Sequence, residues 1–350
     1  MTESGIDDLA GHLASPDVYP QKLDLDGWNV LLIRLDAAAY RAASFLDDRI
    51  VGPATRGAWY AFDRVEGAAQ GVAHRPLHFI FHTGHVGSTL VSRLVDEAGG
   101  SLPLREPLPL RTLAEAHDHL HEPDSAVSEA QFERARAALL ALWARGYETT
   151  RSVVLKATSS AGRLAERLLA ARPSSRAIYM NVRAEPYLAT LLAGQNSPAD
   201  LRGHGPERWR RLQARIALKL QPLHALSPGE LAALAWLSET WTQRDALRRF
   251  PERVLAIDFE AFLAAVADGM ARILGHFGLD GGQSGRALAA SAVLTRYSKA
   301  PEYAYTPSVR SEVLREARER HRAEIGSGLA WLERLARAEG AVAEILDGRI

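Results

Sequence analysis

The chain has 350 residues, 47% apolar and 24% charged, enough to bury a substantial core in one large domain or two modest ones. Lysine plus arginine and aspartate plus glutamate each number 42, so no global electrostatic hold on nucleic acid or an anionic membrane is expected, although a local basic pocket is allowed. With no cysteine, disulfides, thiolate metal sites and cysteine nucleophiles are excluded.

In chain order, MTESGIDDLAGHLASPDVYP is acidic and lacks a basic stretch followed by an apolar run. No signal peptide is expected, no run is long enough to span a bilayer, and a cytoplasmic location follows. Residues 27–34 (GWNVLLIR) read as a strand, 36–47 as a short helix, and GAAQGVAHRP (67–76) as a linker closed by proline. LHFIFHT (77–83) is an apolar run of strand length. Beyond it Leu90, Val91, Leu94, Val95 and Ala98 recur at helical spacing until Gly99-Gly100 ends the run. SLPL (101–104) is a strand, and 128–145 a helix on Phe132, Ala135, Leu139 and Leu142. SVVLKAT (152–158) is a buried strand, 161–171 a helix closed by Pro173, and RAIYMNV (176–182) another strand. A helical run at 187–194 precedes a basic helix at 206–220 and a long helix at 229–250, with Trp236 and Trp241 as core residues. RVLAIDFE (253–260) is again a strand, and 311–346 is helical and charged.

Strands alternating with helices predict an α/β fold, a mostly parallel sheet flanked by helices, with a helical C-terminal region. A single domain is expected: an N-terminal extension (1–75) packed on an α/β core (76–265), then the helical region (266–350). In open α/β sheets, ligands sit outside the carboxyl ends of the strands. The residues there are Thr83–Thr89, Arg105-Glu106, Lys156, Arg183 and Asp258–Glu260. Four of these five places carry a group suited to anion binding or proton transfer, which points to a polyanionic ligand.

HFIFHTGHVGSTLVSRLVDEAGG (78–100) sets Gly84, His85, Val86, Gly87, Ser88 and Thr89 between the apolar run and the helix. Successive backbone N–H groups in such a turn form a concave anion nest, and the helix start adds unpaired N–H groups and a partial positive charge. Gly87 lets the backbone approach the ligand, while Ser88 and Thr89 supply hydroxyl donors. A simple N-cap at Ser88 accounts for neither the two glycines nor the two hydroxyls. The nucleoside-triphosphate loop G-x-x-x-x-G-K-[ST] is not met: His82 stands at its first glycine and Ser88 at its lysine.

FIFHTGHVGSTLVSRLVD followed by LREPLPLR resembles the opening of the PAPS-dependent sulfotransferases, a P-loop fold. Their phosphosulfate loop follows a strand, carries a basic residue two before the glycine and continues Gly-Ser/Thr-Thr. KATSSAG follows a strand as in the family. AIYMNVRAEP is similar to its strand-Arg-x-Pro segment for the 3′-phosphate, and VLAIDFEAFL to its late strand-Glu segment. The resemblance covers about residues 77 to 265.

That resemblance implies PAPS as co-substrate, a hydroxyl-bearing acceptor and no metal. Gly84 to Thr89 and Arg183 would bind the nucleotide donor. His85 stands where the family has lysine or arginine; beside a phosphosulfate dianion a histidine is expected to hold a proton. Thr190 lies one position short of the family's serine. The family's late basic loop is missing, and RYSKAPEYAYTPSVR (296–310) is its substitute, with Arg296, Lys299 and Arg310. Glu106, with Arg105 and Arg111 nearby, would be the catalytic base, and Lys156 would stabilise the sulfuryl oxygens or the leaving phosphate. Acceptor contacts are expected from residues 1–75, 106–127 and 195–206, which do not name the acceptor.

Two other functions stay open. A P-loop kinase using ATP and magnesium would employ Asp258 or Glu260 as a metal acid. A noncatalytic nucleotide-binding protein would keep the cradle without the chemistry. His117 and His121 in HDHLHE lack a third metal ligand, and ERWRRLQARIALK reads as a solvated helix face. Neither nucleic acid nor membrane is an expected partner, and the oligomeric state is not legible.

Overall fold

The structure is a computed structural model that describes residues 9–194, 197–280, 284–300, 302–304 and 306–349. Residues 1–8 of the acidic N-terminus, 195 and 196 of the expected acceptor segment, and Pro301 and Tyr305 of the late basic stretch lie outside them. The strands are β1 (Val18–Asp24), β2 (Asn29–Arg34), β3 (Gly57–Ala61), β4 (Leu77–His82), β5 (Ser101–Arg105), β6 (Ser152–Lys156), β7 (Ala177–Asn181) and β8 (Val254–Asp258). The expected α/β architecture is present: a mostly parallel sheet of order β5-β6-β4-β7-β8 flanked by helices. No helix among the described residues is long and apolar enough to cross a membrane.

The chain divides into two compact units. The first comprises Met1–Phe81, Thr89–Ile178 and Val266–Ser291. Within it β4 pairs in parallel with β6, Ile80 level with Lys156, and β5 pairs in parallel with β6, Arg105 level with Lys156. These strands are buried along their whole length, as their near-continuous apolar runs require. Pro103 is tolerated because β5 is a sheet edge, beside which the helix Ala37–Ala42 packs.

The N-terminal residues build an antiparallel sheet of order β1-β2-β3, in which only β2 matches an expected strand. β1 was hidden by Pro20, Gln21 and Lys22, which sit at a register shift. β3 is too short and too exposed for its alternation to stand out. The expected linker at 67–76 begins as the end of the helix Phe62–Ala69. Two buried arginines tie this region down. Arg145 donates to the carbonyls of Leu13, Ser15 and Val18, and Arg105 to those of Tyr40, Arg41 and Ala43. Burial pushes both guanidiniums down to about 10, still charged at neutral pH.

The second unit comprises His82–Ser88, Tyr179–Ala265 and Ala292–Ile350. Its spine is the helix Pro228–Arg249, which starts at a capping box between Ser227 and Glu230. Trp236 and Trp241 are core residues, as expected. The helix Arg322–Ala338 packs on this spine at glycines: a Cβ on Gly229 would fall 1.8 Å from the Glu324 carbonyl oxygen. The basic helix is Ser197–Gln213, not 206–220, because Pro206 lies inside it instead of starting it. Arg202 and Arg210 are exposed, but Arg208 and Arg211 are not part of a solvated face: they pair with the fully buried Glu239.

Candidate functional site

In the second unit the loop after β4 is fixed by polar bonds. The Thr83 N–H donates to the Met180 carbonyl at 3.1 Å and its hydroxyl to Asn181 Oδ1 at 3.1 Å, while Tyr187 donates to the Thr83 carbonyl at 3.2 Å. Asn181 is itself held by Thr240 at 3.2 Å, and Trp236 donates to the Val182 carbonyl at 2.8 Å. The long helix thus positions both the loop and the residue that precedes Arg183.

Gly84 has φ 101° and Gly87 φ 66°, values that favour glycine. The Gly84 N–H is already bonded to His82 Nδ1 at 3.1 Å, so Gly84 supplies the turn and not a spare donor. Gly87 is needed twice over, since a Cβ there would fall 2.1 Å from the Phe259 ring. Arg310 lies 5.2 Å over that ring and donates to both carboxylate oxygens of Glu260. Val86 is buried, and Ser88 is buried where the helix Ser88–Ala98 begins. His85 is exposed on the loop with φ 53°.

Arg183 is exposed at the N-cap of the helix Ala184–Ala193. On that helix the Thr190 hydroxyl donates to the Pro186 carbonyl at 2.7 Å. Lys299 is exposed in a turn closed by the Tyr297 N–H to Tyr303 carbonyl bond of 2.9 Å. Glu260 is engaged by Arg310, and Asp258 caps its own helix at the Ala261 N–H, 2.8 Å.

In the first unit Thr89 is 3% exposed, and its hydroxyl has no hydrogen-bond partner among the described residues. A buried hydroxyl without a partner costs free energy unless a ligand supplies one. Glu106 and Lys156 meet at the carboxyl ends of β5 and β6. The Glu106 N–H donates to the Lys156 carbonyl at 2.7 Å, and the Lys156 ammonium donates to Glu106 Oε1. The lysine side chain is 0% exposed and the glutamate 11%, so the cation is cut off from water while the carboxylate keeps an outlet to the surface.

Arg105 is not a neighbour of that carboxylate, contrary to expectation. It is turned inward to Ser92, Asp96 and the backbone of residues 40–43. Among the described residues only Trp28, His85 and Glu106 combine a side chain beyond Cα with a left-handed φ, and two of these are candidate site residues.

No three His, Cys, Asp or Glu side chains among the described residues come together as a metal-binding group. His121 lies beyond the helix Leu108–His119, which carries His117, so the two do not share its face. Sequence reasoning missed the positioning residues Asn181, Tyr187 and Phe259. Asn181, a polar residue closing an apolar strand, was the one legible signal.

No protein-family model matches the chain, and no curated protein is significantly similar to it. Among solved structures it is similar to the sulfotransferase from Alicyclobacillus acidocaldarius, at 17% identity and a TM-score of 0.39, over 78% of this chain and 100% of that one. Sulfotransferase STF9 from Mycobacterium avium shows 14% identity and a TM-score of 0.39, over 91% of this chain and 96% of that one. Retinol dehydratase in complex with retinol and PAP shows 12% identity and a TM-score of 0.30, over 78% of this chain and 88% of that one. TM-scores this low assign no activity by likeness.

Proposed function

We propose that the chain is a sulfotransferase moving a sulfuryl group from PAPS to a hydroxyl acceptor. The observation that carries this reading is the loop itself. It is a glycine turn running into a helix with a buried, unpartnered Thr89 hydroxyl, in a sequence without the lysine that phosphoryl transfer places there. Backbone N–H groups at the helix start, with Ser88 and Thr89, would hold the sulfonate-bearing phosphate. Arg183 would take the 3′-phosphate, with Lys299 as a second cation. Thr190 would join only by giving up its bond to Pro186.

In the transfer step the acceptor oxygen forms a bond to sulfur. The sulfur–oxygen bond to the phosphate breaks, and the electron pair leaves on adenosine 3′,5′-bisphosphate. Glu106 would receive the acceptor proton on Oε2, since Lys156 occupies Oε1. Lys156 would hold the carboxylate in place and add positive charge. His85 would place a further cation on the loop.

The kinase reading has less support, because Asp258 caps its helix and Glu260 is engaged by Arg310. The test is single-turnover transfer from sulfur-35-labelled PAPS to a panel of a phenol, a sugar and a primary alcohol. The wild type should form a labelled ester and release bisphosphate, and Glu106→Gln should bind donor without transferring it. Phosphorylation of the same panel from magnesium ATP would replace this reading with the kinase. Donor binding with no transfer at all would favour the noncatalytic protein.

A further inference from the structure

The N-terminal sheet sets two arginines where like charges oppose each other. β2 and β3 pair antiparallel with Ile33 opposite Gly57, and the Arg34 N–H donates to the Arg56 carbonyl at 2.8 Å. The ladder therefore continues one step and sets Arg34 directly opposite Arg56. On the other side Val18 of β1 lies opposite Arg34. Directly opposite residues share a face of the sheet, so Val18, Arg34 and Arg56 form one row, with Leu32 and Ala58 in the next row on that face.

Like charges directly opposite across strands are destabilising. Neither guanidinium makes an ion pair among the described residues, and both are exposed. Asp17, across the β1–β2 ladder, and Asp36, two residues beyond Arg34, are committed elsewhere. Asp17 accepts from the Tyr147 hydroxyl at 2.5 Å, and Asp36 caps the next helix at the Ala39 N–H, 2.8 Å. A cavity opens on this same face, lined by Leu9 and His12 of the helix Leu9–Ala14 and by Leu32, Arg34, Arg56 and Tyr60 of the sheet.

We propose that this cavity binds a small organic anion. Its oxyanion head lies between the Arg34 and Arg56 guanidiniums, and a short apolar or aromatic body lies against Leu9, Leu32 and Tyr60. Arginine suits this role because its planar fork matches a carboxylate, sulfate or phosphate with paired hydrogen bonds. The anion turns the cross-strand repulsion into a stabilising bridge. The site lies within the N-terminal sheet and its covering helix, and it does not rest on the proposed transferase reading.

The test uses the full chain with phenyl phosphate, phenyl sulfate, benzoate and inorganic phosphate as probes, at ionic strength fixed with sodium chloride. Titration and thermal unfolding are followed for the wild type, Arg56→Gln and Arg34→Gln/Arg56→Gln. The phenyl probe with the preferred head should bind more tightly than inorganic phosphate, and the double variant should weaken it about tenfold or more. Without ligand, Arg56→Gln should melt about 1 °C above the wild type, and a saturating probe should reverse that order. Binding unchanged in the double variant but lost in Gly87→Ala would place the probe on the glycine loop and overturn the proposal. A ligand-free Arg56→Gln that melts below the wild type, or phenyl probes no tighter than inorganic phosphate, would overturn it too.

Discussion

Glu106→Gln leaves the Lys156 ammonium, 0% exposed, facing a neutral amide. Removing one partner of a buried ion pair costs about 3–5 kcal/mol, because the remaining charge loses that carboxylate without regaining water. The glutamine carbonyl still accepts a hydrogen bond, so the lower end, about 3 kcal/mol, is expected for this variant. Lys156→Met leaves the carboxylate instead, and its 11% exposure gives it a route to solvent, so a smaller loss follows, roughly 1–2 kcal/mol. In the double variant no charge is stranded, so its loss should fall below the sum of the singles by about 2 kcal/mol. Urea unfolding followed by circular dichroism at pH 7 on the four proteins measures this cycle. Single losses under about 0.5 kcal/mol that simply add would refute the reasoning, because the pair would then behave as a solvated surface contact.

Thr89→Val removes the unpartnered buried hydroxyl. It should stabilise the ligand-free protein by about 1 kcal/mol while weakening adenosine 3′,5′-bisphosphate binding about tenfold, in thermal unfolding and titration. Gly87→Ala meets both the left-handed backbone and the Phe259 ring. A loss of about 2–4 kcal/mol is expected, with bisphosphate binding abolished even where the protein stays folded.

His78 sets an acid limit. Burial holds its imidazole down to about 4 from 6.5, and its Nδ1 accepts from the Arg176 N–H at 3.1 Å. The unfolded chain takes up this proton below pH 6.5 and the folded chain only near 4, so this contribution is complete above 6.5 and falls as the pH drops. The slope is about 1.4 kcal/mol per pH unit, roughly 3 in all. His78→Asn, which still presents an acceptor to Arg176, should flatten that slope in urea unfolding at pH 7, 5.5 and 4.5.

The α/β core was legible because β4, β5, β6 and β7 are short apolar runs between helix-spaced segments, each buried along its whole length. The glycine loop was legible because its residue types have few other uses together. What stayed hidden depends on distant partners. That Arg105 turns away from Glu106 follows from carbonyls at 40–43 and from Asp96, which no local pattern announces. That Gly87 must admit a phenylalanine ring follows from Phe259, far along the chain. The extent of the basic helix was misread because Pro206 carries the signature of a helix start while lying within one.

Calorimetric titration with adenosine 3′,5′-bisphosphate, beside ATP with and without magnesium, on the wild type and Arg183→Ala, tests the central claim most directly. The account predicts selective, magnesium-independent binding of the bisphosphate that weakens at least tenfold in the variant, as loss of a charge-assisted phosphate contact requires. A preference for ATP with magnesium, or binding of neither nucleotide, would contradict it.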